Sequence, residues 1–114
     1  IKTGIEFVDG KYNLSTVVTH NTSDWSMVPL DTPVPFVWLK AVRRLDAVEI
    51  FYSFNDQEYT MMRNAWLQDN HPVMVGVMGA SPDGTGFKAT FEHFGIKHLP
   101  DMRRLEWLEK NSAE

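Results

Sequence analysis

With fifteen acidic residues in the chain, paired carboxylates are the first chemistry to look for. Glycoside hydrolysis needs two of them flanking the scissile bond, about 5 Å apart when configuration is retained. On a strand, carboxylates two residues apart share a face, because side chains alternate. Glu6 and Asp9 are three apart, and Asp9 falls in a turn. Asp46 with Glu49, and Asp56 with Glu58, sit at turns or beside them, and Glu92 stands alone on its strand. No pair has catalytic spacing, so no catalytic residue is assigned and the chain is expected not to be an enzyme. His20, His71, His93 and His98 are scattered without ligand spacing, and no metal is expected. Asp83-Gly84-Thr85-Gly86 looks like a fragment of a calcium loop but lacks the spaced carboxylates. No nucleophile elbow is present. No helix follows the glycines to make a phosphate cradle, and no cofactor is expected.

Binding chemistry has a better candidate. Ile1 to His20 reads as a hairpin, two extended runs joined by Asp9-Gly10, the strongest short-range hairpin signal. A two-residue loop there pairs Val8 with Lys11, Glu6 with Asn13, Gly4 with Ser15 and Lys2 with Val17. One face then carries Ile1, Thr3, Ile5, Phe7, Tyr12, Leu14, Thr16 and Val18, which is core material. The other carries Lys2, Gly4, Glu6, Asn13, Ser15, Val17 and Thr19. Gly4 opposite Ser15 leaves room for something to lie against the sheet. The row is either a solvated face or a groove in which Lys2 and Glu6 pair and Asn13 or Asp24 offers hydrogen bonds to a sugar or a peptide. A sugar site adds an aromatic platform, and Trp25 is the nearby candidate. A loop over residues 20 to 23 sets Thr19 opposite Asp24, extends the polar row and puts Trp25 in the core; a loop one residue shorter puts Trp25 on the polar face. Both remain open. The candidate ligand-binding set is Lys2, Glu6, Asn13, Ser15, Thr19, Asp24 and Trp25.

The elements that must position these residues are strands. Asp24 to Leu30 runs back beside the hairpin, and Pro33 and Pro35 interrupt pairing after it. Phe36 to Arg44 is apolar on both sides, which predicts that Trp38 or Leu39 is fully buried. Ala47 to Phe54 and Tyr59 to Leu67 follow, separated by the polar turn Asn55-Asp56-Gln57-Glu58. Val73 to Ala80 reads as a buried strand and Phe87 to Lys97 as another, with a breaker-rich loop between. From Pro100-Asp101 onward, Met102, Leu105 and Leu108 fall on one stripe, predicting a short amphipathic helix packed on the sandwich or on a partner.

Composition bounds the rest. The 114 residues make one domain at most, and 43% hydrophobic content is ordinary for a globular fold. A net charge of −4 argues against nucleic acid and anionic membranes, and no run of about 20 apolar residues is present to span a bilayer. No cysteine points to export, so the cytoplasm is expected. The chain opens on Ile1 in what reads as mid-strand, so strands preceding it are expected to be missing.

Four stretches carry a family resemblance: IKTGIEFVDGKYNLSTVVTHNTSDWS, FVWLKAVRR, VEIFYSFNDQEYTMMR and VGVMGASPDGTGFKATFEHFGI. Together they resemble the regulation-of-enolase family, a concanavalin A-like domain of unknown function, over residues 1 to 96. The Lys-x-Gly-x-Glu hairpin and the Ser-Asp-Trp-Ser segment are its most specific features. The resemblance implies an all-β, concanavalin A-like antiparallel sandwich, or jelly roll. Because family members run to about twice this length, residues 1–97 would be the C-terminal portion of that sandwich and 98–114 the helix outside it. It further implies a non-catalytic, cytoplasmic binding or regulatory module whose partner is enolase or another protein. The alternative is a carbohydrate-binding or glycoside-hydrolase-like jelly roll.

Overall fold

The computed structural model describes residues 1–68, 71–100, 103, 109 and 110. It contains six strands: β1 (Lys2–Val8), β2 (Lys11–His20), β3 (Thr22–Pro29), β4 (Trp38–Arg44), β5 (Ala47–Ser53) and β6 (Thr60–Trp66). They form two antiparallel three-stranded sheets, β1-β2-β3 and β4-β5-β6. The opening hairpin has the expected register, Val8 with Lys11 through Lys2 with Val17. Asp9 and Gly10 both have positive φ, 51° and 76°, the turn whose twist matches that of paired strands. Asn21, at φ 65°, stands alone between the paired His20 and Thr22. Asparagine tolerates that left-handed conformation better than most side chains. In the second sheet, Ile50 faces Arg63 while Phe51 faces Met61, so a bulge at Met62 bends β6.

The two sheets meet where β2 and β6 come into contact. Leu14, Thr16 and Val18 on the inner face of β2 are buried, as are Val48, Ile50 and Ala65 in the second sheet. Polar clamps close the same interface. Arg63 donates from Nη1 to Ser26 Oγ at 2.9 Å and from Nη2 to Asp24 Oδ2 at 2.7 Å. His20 Nε2 lies 3.0 Å from the Trp66 carbonyl, with the two rings 5.0 Å apart. Beyond the overlap, Ile5, Phe7, Tyr12 and Val28 of the first sheet's inner face remain exposed.

Two expectations are corrected. Val73 to Ala80 and Phe87 to Lys97 join no ladder among the described residues, and Met74 is 98% exposed. Neither segment pairs with a free edge of either sheet, so the apolar run lacks the neighbours that would cover it. Neither Trp38 nor Leu39 is fully buried. Leu39 is 42% exposed because β4 is an edge strand with β5 as its single neighbour, and Trp38 is half-buried, stacked on His93 at 5.4 Å. The expected C-terminal helix lies outside the described residues except for Arg103, Glu109 and Lys110, of which Glu109 and Lys110 are helical.

The turn after β5 is built by its own side chains. Buried Ser53 Oγ accepts from the backbone N–H groups of Asn55 and Asp56, and Asn55 Oδ1 accepts from those of Gln57 and Glu58. The Tyr59 hydroxyl donates to Asp56, and this bond, with some desolvation and the nearby carboxylate, pushes the phenol up from 10.0 to about 12. Below pH 10 the phenol is protonated in folded and unfolded chains alike, and the bond contributes fully. As pH rises from about 10 to 12 the unfolded chain loses its proton first, so that contribution fades. Ultraviolet titration of tyrosinate is expected to show one midpoint near 12, which Tyr59→Phe removes. A midpoint that survives the substitution would contradict the assignment.

Candidate functional site

The outer face of the first sheet carries Lys2, Gly4 and Glu6 from β1, Asn13, Ser15, Val17 and Thr19 from β2, and Ser23, Trp25 and Met27 from β3. Lys2 Nζ lies 3.1 Å from Glu6 Oε1. Four residues of strand separate the two Cα atoms by about 13 Å, so both side chains must lie along the strand to meet. Their path spans Gly4. A Cβ placed on Gly4 would find nothing within 4 Å, so an open notch lies at that point of the face. The space expected beside Gly4 is therefore present, and the chain's own ion pair bridges it.

Two polar side chains lie in the floor of this face. Asn13 is 5% exposed, and its Nδ2 donates to the Lys11 carbonyl at 3.1 Å and to the Glu6 carbonyl at 3.5 Å. Ser15 is 1% exposed and its Oγ has no hydrogen-bond partner. A buried hydroxyl left in that state costs about 1–3 kcal/mol, which makes it a feature that needs a reason. Thr19 Oγ1 and Ser23 Oγ share a hydrogen bond at 2.9 Å on the exposed rim. Trp25 is 51% exposed.

Six of the seven candidate residues share this face, and Asp24 does not. The β2–β3 turn is the shorter of the two alternatives, setting Thr19 opposite Ser23 and Val17 opposite Trp25. Trp25 consequently stands beside the polar row. Asp24 points inward to Arg63, a structural clamp between the sheets.

Sequence reasoning missed a second charged centre, on the outer face of the other sheet. Glu49 is 4% exposed, and Arg44 Nε donates to its Oε1 at 2.6 Å. Arg44 Nη1 also donates to the Arg103 carbonyl at 2.7 Å, while Arg43 holds the Gln68 and His71 carbonyls. The available signal was a carboxylate in the middle of the apolar run Val48-Glu49-Ile50-Phe51. Beside it, Lys40 Nζ sits 4.8 Å from the Phe51 ring centre and 4.3 Å from that of Tyr59. These contacts bind segments of the chain to one another.

Each of Glu6, Asp24 and Glu49 is engaged by a cation rather than set against a second carboxylate. Among the described residues no group of three or more potential ligands could hold a metal ion. No helix among them is long and apolar enough to cross a membrane. The arrangement on the first sheet offers an aromatic surface, an ion pair and a buried hydroxyl, which suits recognition.

Comparison with known proteins agrees with the motifs. The model of a family described as a protein of unknown function (DUF1349) matches residues 1–99. "Regulation of enolase protein 1" of Saccharomyces cerevisiae is 29% identical over 96 residues, 84% of this chain and 48% of the relative. An uncharacterized protein of Emericella nidulans is 31% identical over 90 residues, 75% of this chain and 45% of that protein. The chain thus spans about half the length of these curated relatives. No solved structure matches. The chain belongs to the DUF1349 family, and with it to the regulation-of-enolase family that its hairpin and Ser-Asp-Trp-Ser segment resemble.

Proposed function

We propose that this chain is the C-terminal part of a concanavalin A-like sandwich that acts as a non-catalytic, cytoplasmic regulatory module, binding a protein partner through the outer face of its first sheet. Enolase is the partner suggested by the name of the yeast relative. The larger-sandwich reading is supported by Ile5, Phe7, Tyr12 and Val28, an apolar inner face extending past the second sheet, and by the unpaired apolar segment from Val73 to Ala80. Further strands would cover both.

The observation that carries the binding assignment is Trp25, half-exposed on the same face as the Lys2–Glu6 pair and across β2 from it. Tryptophan is enriched among residues that dominate interface energetics, and a polar rim around it is the usual arrangement. Calorimetric titration with purified enolase tests the reading. Trp25→Ala is expected to weaken binding at least about tenfold, the loss of a modest hot spot. Glu6→Gln is expected to weaken it as well while leaving the melting temperature nearly unchanged, because an exposed ion pair contributes about 0.2–1 kcal/mol. If the unsubstituted protein shows no heat with enolase, the partner assignment fails. If it binds and Trp25→Ala binds equally well, the surface lies elsewhere.

A further inference from the structure

Among the described residues β3 is an edge strand, with β2 as its single neighbour in the sheet. In an antiparallel ladder, hydrogen-bonded and non-bonded pairs alternate along the strands. Leu30 N donates to the Tyr12 carbonyl at 2.9 Å, one step past the opposed Asn13 and Pro29, which fixes the phase. Leu14–Val28, Thr16–Ser26 and Val18–Asp24 are then the bonded pairs. Ser23, Trp25 and Met27 fall between them, so each aims its N–H and C=O away from β2, at the free edge. The same three residues carry their side chains on the outer face. Basic side chains, bulges and prolines are what normally blunt such an edge. β1 carries Lys2, and β4 carries Lys40, Arg43 and Arg44. β6 has its bulge, and its Trp66 carbonyl lies 3.0 Å from His20 Nε2. β3 has no lysine, arginine or bulge, and its proline is its last residue. Its one charge, Asp24, is matched by Arg63, yet that side chain is still 69% exposed.

We propose that the free edge of β3 takes up an extended segment of a protein partner as a fourth strand, basic beside Asp24 and apolar at the flanking positions. The proposal rests on the reading of this sheet as the partner-binding surface, and it specifies the form of the partner's segment. Main-chain bonds to Ser23, Trp25 and Met27 supply affinity whatever the sequence, and side chains on alternate sides supply selectivity. Apolar side chains of the added strand lie on the outer face, against Trp25 and Met27, which are 51% and 40% exposed. The side chain between them lies on the inner side, where Asp24 accepts a lysine or arginine. Pro29 has no N–H to offer, so the added ladder ends there. A second copy of this chain is disfavoured as the occupant. Its β3 has no basic residue to set against Asp24, and each copy carries a net charge of −4.

Amide hydrogen exchange by NMR tests the edge, and titration with the peptide acetyl-Val-Thr-Val-Lys-Val-Thr-Val-amide tests its occupant. In the free protein the amides of Ser23, Trp25 and Met27 are expected to exchange at least about tenfold faster than those of Asp24, Ser26 and Val28. The peptide, at millimolar concentration, is expected to shift and slow the first three. Its counterpart with glutamate in place of lysine is expected to bind at least about tenfold more weakly, since it sets like charges together. Met27→Pro removes an N–H that the ladder to β2 does not use, so the fold is expected to survive while peptide binding is lost. Met27→Ala keeps that N–H and is expected to keep most of the binding. Unshifted edge amides, equal binding of the two peptides, or equal binding by the two variants would each overturn the proposal. So would slow exchange at the three amides in the free protein that is relieved on dilution, because a second copy would then hold the edge. Calorimetry of Met27→Pro with enolase separates this site from the partner assignment. Enolase binding that Met27→Pro retains overturns the edge as the site and leaves the partner standing. Peptide binding by a protein that shows no heat with enolase sinks the partner assignment alone.

Discussion

Arg44→Ala is expected to lower the free energy of unfolding by about 3–5 kcal/mol, the range for removing one partner of a buried ion pair. Glu49 is almost fully enclosed in the middle of β5, and Arg44 Nε lies 2.6 Å from its carboxylate. Removing the guanidinium takes away the cation that lies 2.6 Å from a carboxylate whose hydration was given up on folding. The same side chain also ties the Arg103 carbonyl to the second sheet, and that tie is lost with it. In a domain of this size such a loss lowers the melting temperature on the order of 10 °C or more. Urea denaturation of Arg44→Ala beside Arg43→Ala is the measurement. Arg43 reaches exposed carbonyls, so its loss is expected to cost about 1 kcal/mol, a typical exposed hydrogen-bonded group. Equal costs at the two positions would show that the Glu49 pair has no special weight.

Ile50→Ala is expected to cost about 2–5 kcal/mol, as aliphatic truncations do when the surroundings cannot collapse onto the cavity. Ile50 is 0% exposed at the centre of the middle strand, flanked by β4 and β6. The bulge beside it bends β6 around its position. Leu39→Ala is the control, an isomeric side chain but 42% exposed at the sheet edge. Chemical denaturation is expected to separate the two by more than about 1 kcal/mol, since the transfer contribution scales with the area removed from water. Similar costs would mean that Leu39 is enclosed in solution.

The first hairpin was legible because Asp9-Gly10 leaves its turn little choice, and the turn sets the register of everything paired beside it. The pairing of Lys2 with Glu6 followed from that register, and the structure has it. The positions of Trp25 and Asp24 were not legible. They depend on the length of the β2–β3 turn, which closes over Asn21 alone, at positive φ. Val73 to Ala80 shows a different limit: an apolar pattern states what a segment requires of its surroundings, and not whether those surroundings stand next to it. Glu49 was visible as a charge among aliphatic residues, but its cation lies on the preceding strand, and only the tight Arg44-to-Ala47 pairing brings the two together.

The single-residue tip at Asn21 also makes the domain sensitive to changes in gene length. Strand side chains alternate, so one inserted codon at this turn, where it shifts β3 by a step rather than widening the loop, would move every one of its residues to the opposite side. Asp24 would leave Arg63 and join Lys2 and Glu6, and Trp25 would turn inward towards Val18. One three-nucleotide event would remove the aromatic surface and open the contact between the sheets, with no residue substituted. Among diverging members of the family, this turn is therefore a point where an insertion changes which residues the face presents, while the same insertion in the exposed stretch from Ser81 to Gly86 leaves every strand pairing in place.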